Sequence, residues 1–167
     1  MNALLIVCGL GFVSLLAEIT NLKKRLHLAI IAGLVVAVVF AVADWNSERS
    51  YYNSMLVFDQ FSLTFTVLII AISTFWFCIS SSYFIENSHQ TDKSALVVFT
   101  MVGGIMMVSF HNMAMLFLGI EILSISLYIL AGSNKDSFIS NEAAFKYFIM
   151  GSFATGFLLM GIALVYG

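Results

Sequence analysis

Not one proline interrupts this 167-residue chain. Membrane helices that break around a substrate usually do so at proline or glycine, so the absence points to regular, unbroken helices. Cysteine is scarce too. Cys8 and Cys78 fall in different apolar runs. The topology derived below sets them toward opposite membrane faces, about 18 Å apart along the helix axes. A disulfide needs α-carbons within about 7 Å, so two free thiols are expected. Charge is the third scarcity. Only 10% of the residues are charged and 61% are hydrophobic, where a soluble domain has about 25% and about 45–50%. A soluble fold of this length has no interior large enough for that apolar surface. The expected class is an all-α, polytopic membrane helix bundle.

Further absences narrow the function. The net charge is −2 and the longest basic tract is Lys23-Lys24-Arg25, which sets nucleic acid aside as a partner. The chain has no Walker loop, dinucleotide fingerprint, HExxH, CxxC or haem motif, and its three histidines are scattered without metal-ligand spacing. No metal and no redox cofactor is expected on this chain alone.

What is present is a series of apolar runs, expected as about six membrane helices at 3–21, 26–43, 61–85, 94–110, 113–131 and 141–166. No positive segment precedes the first run, and Glu18 near its end lies beside the basic cluster. That order favours an uncleaved first span rather than a signal peptide. The second run ends at Asp44, and Trp45, Tyr51 and Tyr52 suit an interfacial aromatic belt. Met55–Gln60, with Asp59, reads as a loop or interfacial segment. The third run closes on the polar loop Glu86–Lys93. From Ser94 to Asn134 the sole formal charge is Glu121, yet one helix of that length would reach about 60 Å, twice the hydrocarbon thickness. The stretch must fold back, and His111-Asn112 is the polar pair where it turns. Gly132-Ser133-Asn134 ends the fifth span, and Ser140 or Asn141 can cap the sixth. Ser152 with Gly156, and Gly103-Gly104, suit close helix packing.

Lys23, Lys24, Arg25, Lys93 and Lys135 all fall in loops after odd-numbered spans, against Arg49 alone on the other side. The positive-inside rule then makes those loops cytoplasmic and the N-terminus external.

Two charges sit inside the last apolar runs. Glu121 falls near the midplane, where a carboxylate costs about 2.5–3.5 kcal/mol or more, and such groups mark ion and proton paths. Lys146 falls about five residues inside the sixth span, offset from Glu121 by about 6–8 Å along the axis. It can reach toward Glu121, directly or through water. It can equally pair with Glu142 at the favoured i,i+4 spacing or extend its ammonium to the surface. A carboxyl poised between desolvation and a nearby cation can take up and release protons, as a relay requires.

The run Phe117-Leu118-Gly119-Ile120-Glu121-Ile122-Leu123-Ser124 with Tyr128, then Glu142-Ala143-Ala144-Phe145-Lys146-Tyr147-Phe148, then Gly161-Ile162-Ala163-Leu164-Val165-Tyr166, resembles the subunit N family of proton-pumping NADH–quinone oxidoreductases, respiratory complex I. Val57-Phe58-Asp59-Gln60-Phe61 is also similar to that family's pattern before its third helix. The resemblance implies an antiporter-like, proton-translocating subunit in a bacterial inner membrane, working with the other membrane subunits of complex I in the lipid bilayer. It implies proton-channel roles for Glu121 and Lys146, and no redox centre here, with NAD and quinone used by the whole complex. Family members are roughly three times longer, so the resemblance covers their N-terminal third. A monovalent cation/proton antiporter subunit and a non-catalytic membrane scaffold are the alternatives.

Overall fold

The computed structural model describes residues 1–17, 23–45, 49–80 and 90–166. Glu18 and the loop residues 86–89 lie outside them, as do residues 81–85, the expected end of the third span. The described residues form six helices: α1 (Asn2–Ala17), α2 (Lys23–Ala43), α3 (Gln60–Ile79), α4 (Gln90–Val108), α5 (Met113–Ala131) and α6 (Phe138–Tyr166). Four stretches among them are long and apolar enough to cross a membrane: Leu26–Ala43, Gln60–Ile79, Met113–Ala131 and Phe138–Tyr166. The described part of α1 is shorter, at 16 residues, and α4 opens on the polar Gln90-Thr91-Asp92-Lys93. The protein is an all-α membrane bundle.

The helices are apolar on every side, so small residues and shape decide which side packs. On α1 the buried stripe is Ala3, Val7, Gly11, Ser14 and Ala17, and on α2 it is Leu26, Ile30, Leu34, Ala37 and Ala41. Both follow the three-to-four-residue spacing of a single helical face. α4 is the central post, packed against α1, α3 and α5, and its Ala95, Val98, Met101, Val102 and Ile105 are buried. Two serines along these seams return their protons to the helix. Ser14 Oγ donates to Leu10 O at 2.8 Å and Ser126 Oγ to Ile122 O at 2.8 Å. Neither hydroxyl is left unpaired in the apolar interior. Cys8 and Cys78 are free thiols.

One end of the bundle carries an element absent from the all-helical expectation. The segment expected as a loop before the third span contains half of a small antiparallel ribbon, β1 (Arg49–Tyr51) paired with β2 (Leu56–Phe58). Tyr52, Asn53 and Ser54 turn the chain with φ of 55°, 55° and 63°. This left-handed region costs a residue with a side chain about 1–2 kcal/mol. The ribbon is held from both sides. Val57 N–H donates to Ser109 O at 2.9 Å and His111 N–H to Met55 O at 3.0 Å, which ties it to the turn between α4 and α5. Asp59 follows as the N-cap of α3, its side chain accepting from Ser62 N–H at 2.7 Å. His111 is an exposed turn residue at this ribbon end.

Candidate functional site

α5 begins where Asn112 Oδ1 accepts from Ala114 N–H at 2.8 Å, and it closes on Gly132. Glu121 therefore has eight helical residues before it and ten after it. At 1.5 Å per residue it lies about 14 Å from the ribbon end, close to the middle of a 30 Å hydrocarbon layer.

Two contacts fix which way α5 faces. Toward α4, Gly103 and Gly119 let the backbones meet: a Cβ at Gly103 would lie 2.6 Å from Leu123 N and 2.7 Å from Gly119 O, and one at Gly119 would lie 2.9 Å from Met107 Cγ. Gly104, expected to share this role, faces Ile69 with ordinary spacing instead, at 3.6 Å. Toward α6, Tyr128 is buried and meets Tyr147 edge-on at 4.7 Å and Phe148 at 5.9 Å. Its phenol lies over Gly151, where a Cβ would overlap Oη and Cζ. Glu121 precedes Tyr128 by seven residues, two helical turns, and so belongs to the same side of α5.

Glu121 as a residue is half-buried, and it shares one feature with Thr66 and Ser109. Its Oε1 is buried and has no hydrogen-bond partner. A buried acceptor without a partner costs about 1–3 kcal/mol, and more if the group is charged. Such an oxygen calls for a proton, a water or a further polar group.

Lys146 is elsewhere. Its Nζ meets Glu142 Oε1 at 2.5 Å, an i,i+4 pair with side-chain exposures of 68% and 44%. The register of α5 on α6 explains the separation. Ala144 abuts Gly132, and at the other end Tyr166 O–H donates to Asn112 Oδ1 at 3.1 Å. Lys146 lies twenty residues before Tyr166, about 30 Å, which sets it at the opposite boundary of the hydrocarbon layer. The axial gap to Glu121 is therefore about 16 Å, not the 6–8 Å expected from the sequence. α6 starts at Phe138 rather than at residue 141 and runs past the end of α5, so that Ala144, not residue 141, is level with Gly132 and Lys146 lies only two residues further in. Of its two possible partners, the structure gives it Glu142.

One other expectation falls away within this chain. Ser152 and Gly156 form no packing seam, since Ser152 is exposed and a Cβ at Gly156 would meet nothing within 4 Å. Conversely, sequence reasoning gave no role to Gly151 or to Gly119, which create the room for Tyr128 and for the α4 backbone. The signal for Gly151 was present: Tyr128 and Tyr147-Phe148 recur together in the residues that carry the resemblance, and they form one aromatic cluster. Among the described residues no group of His, Cys, Asp and Glu is arranged to hold a metal ion.

Comparison with known proteins agrees with this architecture. Residues 110–167 match the family model described as "NADH:quinone oxidoreductase/Mrp antiporter, TM". The chain is 47% identical over 168 residues to the NADH-quinone oxidoreductase subunit N of Flavobacterium psychrophilum, covering 100% of this chain and 37% of that protein. It is also 47% identical over 169 residues to subunit N of Cytophaga hutchinsonii, with the same two coverages. A chain in the structure titled respiratory complex I from Thermus thermophilus with bound aureothin superposes with a TM-score of 0.78 at 25% identity, covering 99% of this chain and 36% of that one. The chain thus spans little more than a third of the length of the relatives it matches.

Proposed function

We propose, from the premise that this chain belongs to the NADH-quinone oxidoreductase subunit N family, that it forms part of a proton-translocating membrane subunit of respiratory complex I. In this reading the subunit couples electron transfer from NADH to quinone to proton pumping. NAD and quinone are used by other subunits, and this chain binds neither. Its partners are the other membrane subunits and the lipid of a bacterial inner membrane. The lysine-rich loops, beside Arg49 alone at the opposite face, favour an external N-terminus.

The single observation that carries the reading is the oxygen of Glu121, buried halfway along α5 with no hydrogen-bond partner. An ionisable group enclosed at that depth in a membrane helix marks a path for ions or protons. Lys146 is the second residue of the proposal, in a different place from the one its sequence position suggested. At the hydrocarbon boundary, paired with Glu142, it would exchange charge between the aqueous surface and the bundle. Passage between Lys146 and Glu121 then requires intervening water or further polar groups across about 16 Å.

The test is made in the intact complex. With Glu121→Gln, NADH-driven proton pumping in sealed vesicles is expected to fall several-fold while the complex assembles normally. Loss of assembly with normal coupling in the residual complex would favour a scaffold. The matched family description also names Mrp antiporters. Sodium-dependent proton exchange without any NADH dehydrogenase partner would favour that second reading.

A further inference from the structure

At the end of the bundle away from the ribbon, a cleft of about 220 Å³ opens where α1, α4 and α5 come together. Its rim carries Lys93, from the first turn of α4, and Lys135, from the turn after α5, with Asp92 beside them. Its walls are Leu15 of α1, Leu96 of α4 and Ile129 of α5. The volume corresponds to several water molecules, enough for a phosphate-sized head and too small for a long apolar ligand. The apolar surface continues out of it. α4 packs between α1 and α5 and floors a furrow. On one wall Leu15 is followed by Phe12, which meets Phe99 of α4 edge-on at 5.7 Å. On the other, Ile129 is followed one turn away by Ile125. Leu15, Phe12, Ile129 and Ile125 are all largely exposed.

Two cations from separate elements at the mouth of an apolar furrow match one kind of molecule, with an anionic head and hydrocarbon tails. We propose that this cleft and furrow bind an anionic phospholipid. Its phosphate lies against Lys93 and Lys135, and an acyl chain lies along α4 between Leu15 and Ile129. Among the described lining residues two lysines stand against the one carboxylate of Asp92, so the site favours an anionic head without excluding a zwitterionic one. Basic pockets at the ends of membrane helices recognise anionic lipid heads through this combination of charge and depth. The inference is independent of whether Glu121 carries protons.

The experiment uses the 167-residue chain extracted in mild detergent and offered equal amounts of phosphatidylglycerol and phosphatidylcholine of matched chain length. Native mass spectrometry counts the lipid retained on the protein. Phosphatidylglycerol is expected to be retained about fivefold over phosphatidylcholine. That preference should vanish in the K93Q/K135Q variant, and Ile129→Trp, which fills the furrow, should reduce retention of both lipids. Lys135→Gln alone, at an exposed turn, keeps the test available if the double variant does not fold; it should lower the preference. Equal retention of the two lipids by the unaltered protein, or an undiminished preference in the lysine variants, overturns the proposal. Displacement of the lipid by excess inorganic phosphate, with no dependence on chain length, also overturns it, because the site would then hold a free anion.

Discussion

α5 and α6 are antiparallel neighbours of similar apolar character, yet they are built into the bundle differently. α5 buries Gly119, Ser126 and Tyr128, whereas no residue of α6 is buried. Phe138, Ile139, Met150 and Leu164 of α6 are more than 70% exposed. Within this chain, which spans little more than a third of its relatives' length, the contrast follows the placement of glycine, since both helices carry aromatic and branched residues throughout. Gly119 of α5 meets Gly103 of α4, so two backbones touch, while the glycines at 156 and 161 of α6 face open space. In a membrane, where lipid tails are as apolar as leucine, such close approach rather than hydrophobicity decides which helices associate. α6 is thus attached by one patch of aromatic rings and by its ends.

Substitutions can break or sharpen this contrast. The largest effect is expected from Gly103→Val, whose side chain would enter the backbone of α5. A loss of about 3 kcal/mol, the upper range for overpacking, should appear as a lowered midpoint when the purified chain is unfolded by denaturing detergent and followed by circular dichroism. An unchanged midpoint would show that the seam between α4 and α5 is not the rigid part.

Gly151→Ala should come next, at about 2 kcal/mol, because the new methyl displaces the Tyr128 phenol. Combined with Tyr128→Leu, it should cost less than the sum of the single changes by about 1–2 kcal/mol. Strict additivity would mean that the ring does not sit over Gly151.

Asn112→Ala removes both the cap of α5 and the acceptor for Tyr166, and about 1 kcal/mol is expected by the same measurement. At the small end stand Lys146→Gln, at about 0.3–0.5 kcal/mol for an exposed i,i+4 pair, and Gly156→Ala, within about 0.5 kcal/mol of zero. If Lys146→Gln proved as costly as Gly151→Ala, the lysine would have a buried partner and the assignment to Glu142 would fail.

The sequence made some of this legible and hid the rest for physical reasons. α5 was readable because Asn112 and Gly132 carry capping chemistry at both ends and a single charge interrupts the run. The depth of Glu121 followed from counting residues between those caps. The start of α6 is ambiguous in the sequence because three polar residues, Ser137, Ser140 and Asn141, compete for the same role. Ser137 takes it, with Ser140 N–H donating to its Oγ at 3.3 Å and Asn141 N–H to its carbonyl at 3.1 Å. The place of Lys146 follows instead from the register, with Ala144 level with Gly132, which no residue pattern announces. The ribbon escaped notice because strands of three residues are too short to show alternation, and of Tyr52, Asn53 and Ser54 only the asparagine is a residue that favours a left-handed turn. The α4–α5 seam escaped because a glycine that lets two helices touch reads the same, in sequence, as one that faces open space.

The bonds from the ribbon to the α4–α5 turn, Val57 to Ser109 and Met55 to His111, run between main chains. Side-chain replacement leaves such a joint in place. It anchors the Asn112 end of α5 to the ribbon, and the depth of Glu121, nine residues on, is measured from that anchor.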